Sequence, residues 1–226
     1  MFKYETHLHT SPVSACASAT VEETLKFYKS LDYQGVFITN HFIDGNIRIS
    51  PDRPYKERIE FYFSDYEAAS ELSEKIGIQV LCGVEQSYGG TDFLVYGLDK
   101  AWFLAHPEIE QMPKSRELEL YMDAGALVIQ AHPFREAAYI DHIRLFPRCI
   151  HGVEVINACR TPFENQMAEH YAESYGLLKF AGSDNHSAGH QRRLAGVGFE
   201  TPLQDEQDLI RRVKAGEHTV FFDTLE

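Results

Sequence analysis

The chain has 226 residues, 44% of them hydrophobic and 24% charged, which fits one soluble globular domain with a sizeable core. Its net charge of -13 and lack of any basic run disfavour binding to a nucleic-acid backbone, which relies on clustered Lys and Arg. No apolar stretch approaches the roughly 18 residues of a membrane span, and Met1-Phe2-Lys3 leads straight into a strand pattern with no room for a signal peptide. A cytoplasmic location is therefore expected. The four cysteines, at 16, 82, 149 and 159, show no C-x-x-C spacing and read as reduced thiols.

The first predicted strand is Phe2–His9, with Phe2, Tyr4, Thr6 and Leu8 on one face and Glu5, His7 and His9 on the other. A helix should begin at Thr20, because Thr20-Val21-Glu22-Glu23 is a capping box. Gly35–Thr39 is a second strand, apolar on both faces, and delivers Asn40 and His41. A long amphipathic helix follows from about Tyr55 to Ile76, with Gly77 as its stop.

Ile78–Val84 is the third strand, ending at Glu85, and Phe93–Tyr96 the fourth. After a helix over Ser115–Asp123, the fifth strand, Ala126–Gln130, leads to His132. Gly152–Ile156 is the sixth, and Thr161-Pro162-Phe163-Glu164 opens a helix to about Tyr175 with a capping box and Pro at its first position. Leu178–Ala181, the seventh strand, runs into Gly182-Ser183-Asp184-Asn185-His186. A strand near Val197–Phe199, a helix over about Asp205–Ala215 and a strand at Thr219–Phe222 complete the chain.

Alternating strands and helices imply a mainly parallel sheet with covering helices. Metal-ligand residue types follow one strand after another: His7, His9, His41, Glu85, His132, Asp184 and His186. Such a series favours a barrel, where functional residues gather at the C-terminal ends of many strands, over an open sheet with one crevice. The imidazoles suit zinc, manganese or iron. Glu85 closes an otherwise apolar strand, and a carboxylate can bridge two ions. His106, His142, His151, His170, His190 and His218 lie in loops or helices and read as surface or partly satisfied side chains.

The ordered motifs H-x-H, T-N-H, G-x-E, A-H-P and G-S-D-x-H, over about Met1 to Gly198, resemble the PHP (polymerase and histidinol phosphatase) family. The resemblance implies a distorted (β/α)7 TIM-like barrel, as a single domain over 1–226, binding two or three divalent ions. It implies that His7, His9, Glu85 and Asp184 hold a first ion, with Glu85 bridging to a second held also by His132. His41 and His186 would hold a third. Two departures stand out. The loop after H-x-H, Thr10–Cys16, lacks the Asp or His that many relatives give the third ion. Cys16 is the one strong donor nearby, so either it substitutes or the third ion is weak or absent. Asn40 stands where Asp often precedes the histidine, removing a charge that could orient an imidazole. For the second ion's remaining ligand, Asp92, Asn157 and His106 are candidates.

The implied activity is a metal-dependent phosphoesterase acting on a small phosphorylated metabolite, using water activated by metal. Glu85, Asp184 and His186 are the candidate catalytic residues; no general acid is obvious, and a metal-bound water and His186 are the two candidates to protonate a leaving oxygen. Arg135, Arg160 and Arg192 are candidate phosphate-binding residues, since guanidinium pairs with phosphate in bidentate geometry. The rival readings are an amidohydrolase-type metal hydrolase and a non-catalytic metal-binding domain. A nuclease is disfavoured by the charge, and no nucleic-acid or membrane partner is expected.

Overall fold

A computed structural model describes residues 1–226. Its first half runs β1 (Phe2–Leu8), α1 (Val21–Ser30), β2 (Gly35–Ile38), α2 (Tyr55–Ile76), β3 (Gln79–Tyr88), β4 (Thr91–Tyr96), α3 (Lys100–Ala105) and α4 (Lys114–Asp123). Its second half runs β5 (Leu127–Ala131), β6 (Gly152–Asn157), α5 (Pro162–Tyr175), β7 (Leu178–Gly182), β8 (Arg193–Phe199), α6 (Glu206–Lys214) and β9 (Thr219–Thr224). One sheet holds all nine strands in the order β7-β6-β5-β4-β3-β2-β1-β8-β9. It curls until β1 meets the end of β7, where the His9 N–H donates to the Asn185 carbonyl at 2.8 Å. Ser183 adds a tie to β8, accepting from the Ala195 N–H at 2.9 Å. The result is a nearly closed barrel, with nine strands where the family resemblance implied seven.

Both threonine capping boxes form. Thr20 and Glu23 exchange side-chain and backbone hydrogen bonds at the start of α1, and Thr161 and Glu164 do the same at α5. Gly77 ends α2 at φ 76°, a left-handed conformation that costs other residues about 1 kcal/mol or more.

Alternation along the strands divides the core. Phe37, Leu81, Leu94, Tyr96, Leu127 and Phe180 point into the barrel with Tyr4, and Leu209, Ile210 and Val213 of α6 plug one end of this interior. Each fully buried side chain of this size contributes about 2 kcal/mol by the area it removes from water. The two interior phenols are satisfied: Tyr96 donates to the Thr6 carbonyl at 2.7 Å, and Tyr4 donates to Gln79 Oε1 at 3.0 Å. Alternate residues such as Val84, Phe93, Val95 and Val153 face outward against α2, α4 and α5.

Three expectations are corrected. The sheet is not mainly parallel: β1–β8, β3–β4, β4–β5 and β8–β9 all pair antiparallel. The third strand does not stop at Glu85 but continues to Tyr88 and turns through Gly89-Gly90 into β4. Strict alternation also fails in β1, whose register with β2 shifts between Glu5 and Leu8. Tyr4 therefore packs inside the barrel, whereas Leu8 packs outside against Val21 and Leu25 of α1. No helix is long and apolar enough to cross a membrane.

Candidate metal centre

The shift in β1 lets His7 and His9 face the barrel mouth, and both are fully buried. Each ring is held by its Nδ1, leaving Nε2 free. His7 Nδ1 lies 3.0 Å from Glu154 Oε1, a carboxylate that can only accept. Glu154 Oε2 in turn accepts from the His132 N–H at 3.0 Å and from Asn157 Nδ2 at 2.8 Å. Gly182 makes room for this pair, because a Cβ there would collide with His7 Cβ and would lie 2.7 Å from Glu154 Oε1.

His9 is held through a longer relay. Ser14 Oγ donates its single proton to Asn40 Oδ1 at 2.8 Å, so it must accept from His9 Nδ1–H at 3.1 Å. Asn40 Nδ2 donates to Asp65 Oδ2 of α2 at 3.1 Å, and the Thr10 hydroxyl donates to the same oxygen at 2.7 Å. Asn40 thus orients the loop that carries Ser14 instead of touching an imidazole. The negative charge absent at position 40 is supplied by Asp65.

Glu85 occupies the centre. Its Oε1 is 3.1 Å from His7 Nε2 and 3.4 Å from His132 Nε2. Its Oε2 is 2.6 Å from His41 Nδ1 and 3.5 Å from His9 Nε2. Asp184 Oδ1 lies 3.6 Å from His7 Nε2 and 3.4 Å from His9 Nε2. His186 has its Nδ1 2.9 Å from the Asp184 carbonyl, which fixes the proton there and leaves Nε2 free. His132 and Asp184 adopt positive φ, 26° and 54°, a conformation uncommon outside glycine and one that clusters at functional sites.

Burial and charge oppose each other here. Burial would push the Glu85 carboxyl up, but His41, His7 and His9 hold it well below the usual carboxylate range. Asp184 is likewise held low, against its burial, by His7, His9 and His132. Burial alone would lower His7, yet Glu154, Asp184 and Glu85 raise it well above an ordinary histidine. His9 goes well below, through its own burial and the neighbouring His186 and His41. Cys16, on the exposed rim, is brought down to about 6: its partial burial opposes the shift, and hydrogen bonds with His186 and His41 drive it.

The residues fit divalent cations on their own geometry. His7 Nε2 and His9 Nε2 are buried without a hydrogen-bond partner, and His41 Nδ1 and Glu85 Oε2 lie 2.6 Å apart without hydrogen-bond geometry, a costly state that a cation would relieve. Donor atoms within 4.8 Å of one another form three overlapping sets: His7, His9 and Asp184; His7, Glu85 and His132; and His9, His41 and His186. All seven sequence-predicted ligand positions therefore meet at one mouth.

A cavity of about 570 Å³ opens over this cluster. Arg135 and Arg160 line it, each with a buried Nε–H lacking a partner, and Arg135 Nη2 also pairs with Asp92 Oδ2 at 3.1 Å. Arg192 is exposed and does not line the cavity. A larger groove, of about 780 Å³, lies between α2, α3 and the start of α6 and holds none of the cluster.

Of the three residues considered for the second ion, Asp92 approaches it, with Oδ2 3.9 Å from His132 Nε2. Asn157 is instead committed to Glu154 and to the Cys159 N–H, and His106 is stacked on Trp102 beside Glu108. Glu154 and Asp65 were missed from sequence. Glu154 had a readable signal, a lone carboxylate in the apolar run Gly152-Val153-Glu154-Val155-Ile156.

The PHP-associated family model matches residues 162–218, from α5 to the edge of β9. No curated protein matches the chain in sequence. In structure the chain is similar to a two-domain Bacteroides vulgatus protein described as containing a predicted PHP-like metal-dependent phosphoesterase, with TM-score 0.68 and 15% identity. That similarity covers 98% of this chain and 65% of the other, so the chain spans less than two thirds of that protein. The family match is thus confined to residues 162–218, and what the chain shares with the Bacteroides protein over its whole length is the fold. Fold similarity extends to a provisionally described metal-dependent phosphoesterase from Bifidobacterium adolescentis, at TM-score 0.59 and 14% identity over 95% of this chain and 96% of that one. It extends also to an amidohydrolase from Chromobacterium violaceum with bound sulfate and no metal, at TM-score 0.55 and 14% identity over 96% and 97%.

Proposed function

We propose that this PHP-like chain is a metal-dependent phosphoesterase acting on a small phosphorylated molecule, with divalent ions held around Glu85. The observation that carries the reading is the pairing of three overlapping donor sets with two arginines, Arg135 and Arg160, that line the same cavity. His7, His9, Glu85 and Asp184 would hold one ion, Glu85 and His132 a second with Asp92 beside them, and His41 and His186 a third. Bound there, zinc, manganese or iron would supply water of lowered pKa and neutralise phosphate charge.

The remaining work falls to the chain itself. Arg135 and Arg160 would bind phosphoryl oxygens and orient the ester over the cluster. Glu154 and the Asp184 carbonyl fix the tautomers of His7 and His186, so that both present Nε2. With its Nδ1–H held by the Asp184 carbonyl and Nε2 presented to the third ion, His186 would act as a ligand, and the leaving oxygen would take its proton from water. The cavity volume suits a small ligand, and the net charge of -13 repels polynucleotides away from the mouth.

The test is a screen of phosphomonoesters, phosphodiesters and amides with metal-loaded protein, using Asp184→Ala as the control. Phosphoester turnover that the variant loses supports the reading. Amide turnover without phosphoester turnover contradicts it and favours the amidohydrolase alternative.

A further inference from the structure

Between β5 and β6 the chain runs from residue 132 to 151 without helix or strand, a length more typical of binding loops than of plain connections. The loop is seated on the turn between β3 and β4. Arg144 Nη1 donates to the Gly89 carbonyl at 2.6 Å, and Ile140 packs against Gly90, where a Cβ would lie 2.8 Å from Ile140 Cγ1. The Ile140 N–H also closes a turn on the Ala137 carbonyl at 2.9 Å. Tyr139, inside that turn, is thereby held at the rim of the metal-centre cavity.

Tyr139 is 70% exposed, and the Arg135 guanidinium lies over its ring, 5.7 Å from the centroid. The imidazoles aside, the other residues around this cavity are charged, polar, thiol or glycine. Tyr139 is therefore the one broad apolar surface that a substrate meets beside Arg135. A second observation concerns the proton. His186 spends its Nδ1–H on the Asp184 carbonyl and, in the metal-centre reading, its Nε2 on an ion, so it has no proton to hand to a leaving oxygen. Such a site suits an alcohol that departs as its anion. Phenols ionise at about 10, as tyrosine does, whereas aliphatic alcohols resemble water, at about 15.7.

We propose that Tyr139 is the platform for the leaving group, and that the site takes phosphate monoesters of aromatic alcohols in preference to those of aliphatic ones. The proposal rests on the phosphoesterase reading given above and names its substrate class. A phosphoryl group bound at Arg135 carries its ester substituent to the phenol ring, because guanidinium and ring are already stacked. An aromatic substituent then stacks on a ring that the Gly89 and Gly90 contacts have positioned beforehand. In the hydrolysis, a water oxygen bonds to phosphorus as the bond from phosphorus to the aryl oxygen breaks. The phenolate leaves with the electron pair and takes its proton from water.

Calorimetric binding of two non-hydrolysable esters' analogues, benzylphosphonate and butylphosphonate, to the zinc-loaded full chain tests the platform apart from turnover. The wild type should bind benzylphosphonate about three- to tenfold more tightly than butylphosphonate. Tyr139→Ala should abolish that difference, and its ring is exposed enough that folding should not suffer. Tyr139→Phe should keep the difference, since the platform needs the ring and not the hydroxyl. Equal affinities in the wild type, or an aromatic preference that survives Tyr139→Ala, would overturn the proposal and leave the phosphoesterase reading standing. Absence of binding by either phosphonate would count against both.

Discussion

Glu154 grips His7 Nδ1 at 3.0 Å from a strand 147 residues further along the chain, and its second oxygen secures the backbone of His132. One carboxylate on β6 thus positions two of the imidazoles that meet at Glu85. Glu154→Gln keeps the shape but loses the charge that stabilises the Nδ1–H tautomer. Metal affinity should fall about 10–100-fold while the fold is retained. Titration of the metal-free variant, with circular dichroism as a check on folding, measures this.

Asp65 should matter to both stability and metal binding, although it touches no imidazole. It collects the Thr10 hydroxyl, the Val13 N–H and Asn40 Nδ2, and so fixes the loop that carries Ser14 to His9. Asp65→Ala leaves those donors buried without an acceptor, at a cost of about 1–3 kcal/mol. A lower Tm together with weaker metal binding is the expected outcome. An unchanged affinity would mean that the relay does not orient His9.

Arg135→Ala should raise KM for a phosphoester with bound metal unchanged, because the guanidinium faces the cavity and pairs with Asp92 but not with the donor sets. Loss of one charge-assisted contact costs about 1.5–3 kcal/mol, or roughly 10–150-fold in kcat/KM. Arg192→Ala should leave both constants unchanged, since Arg192 is exposed and off the cavity. Steady-state kinetics on the two variants decides between these positions.

Away from the site, His151 makes the fold acid-sensitive. Its Nδ1 accepts the Val128 N–H at 3.1 Å, so the folded ring is neutral, and burial together with the Lys214 charge lowers it to about 4. The folded value lies below the roughly 6.5 of the unfolded chain. This contribution is therefore full above pH 6.5, declines as pH falls, and is lost below about 4. The part-exposed ring limits it to ~1 kcal/mol. His151→Asn keeps an acceptor that does not titrate, so its Tm should fall less than that of the wild type between pH 6.5 and 4.

The site was legible in the sequence to the extent that its residues interrupt apolar runs. His7, His9, His41, Glu85, His132, Asp184 and His186 each sit at or near the end of a strand that would otherwise be buried, and in the barrel all seven reach one mouth. Glu154 carried the same signal, but it lies within its strand and so escaped a search for strand ends. The β3–β4 hairpin was announced by Tyr88-Gly89-Gly90-Thr91 between two apolar runs, and reading β3 as ending at Glu85 hid it. The register shift in β1 had no local signal. It follows from tertiary contacts that put Tyr4 inside the barrel and Leu8 under α1. Asp65 was hidden for a similar reason, since a polar residue on a long helix reads as solvated until its loop partners are known.

The central claim is that Glu85 is shared by two ion sites, and equilibrium metal binding by the stripped protein tests it most directly. The wild type should bind at least two zinc or manganese equivalents per chain, and Glu85→Ala should weaken more than one of them together. A wild type that binds no metal, or a Glu85→Ala variant that binds as the wild type does, would contradict the account.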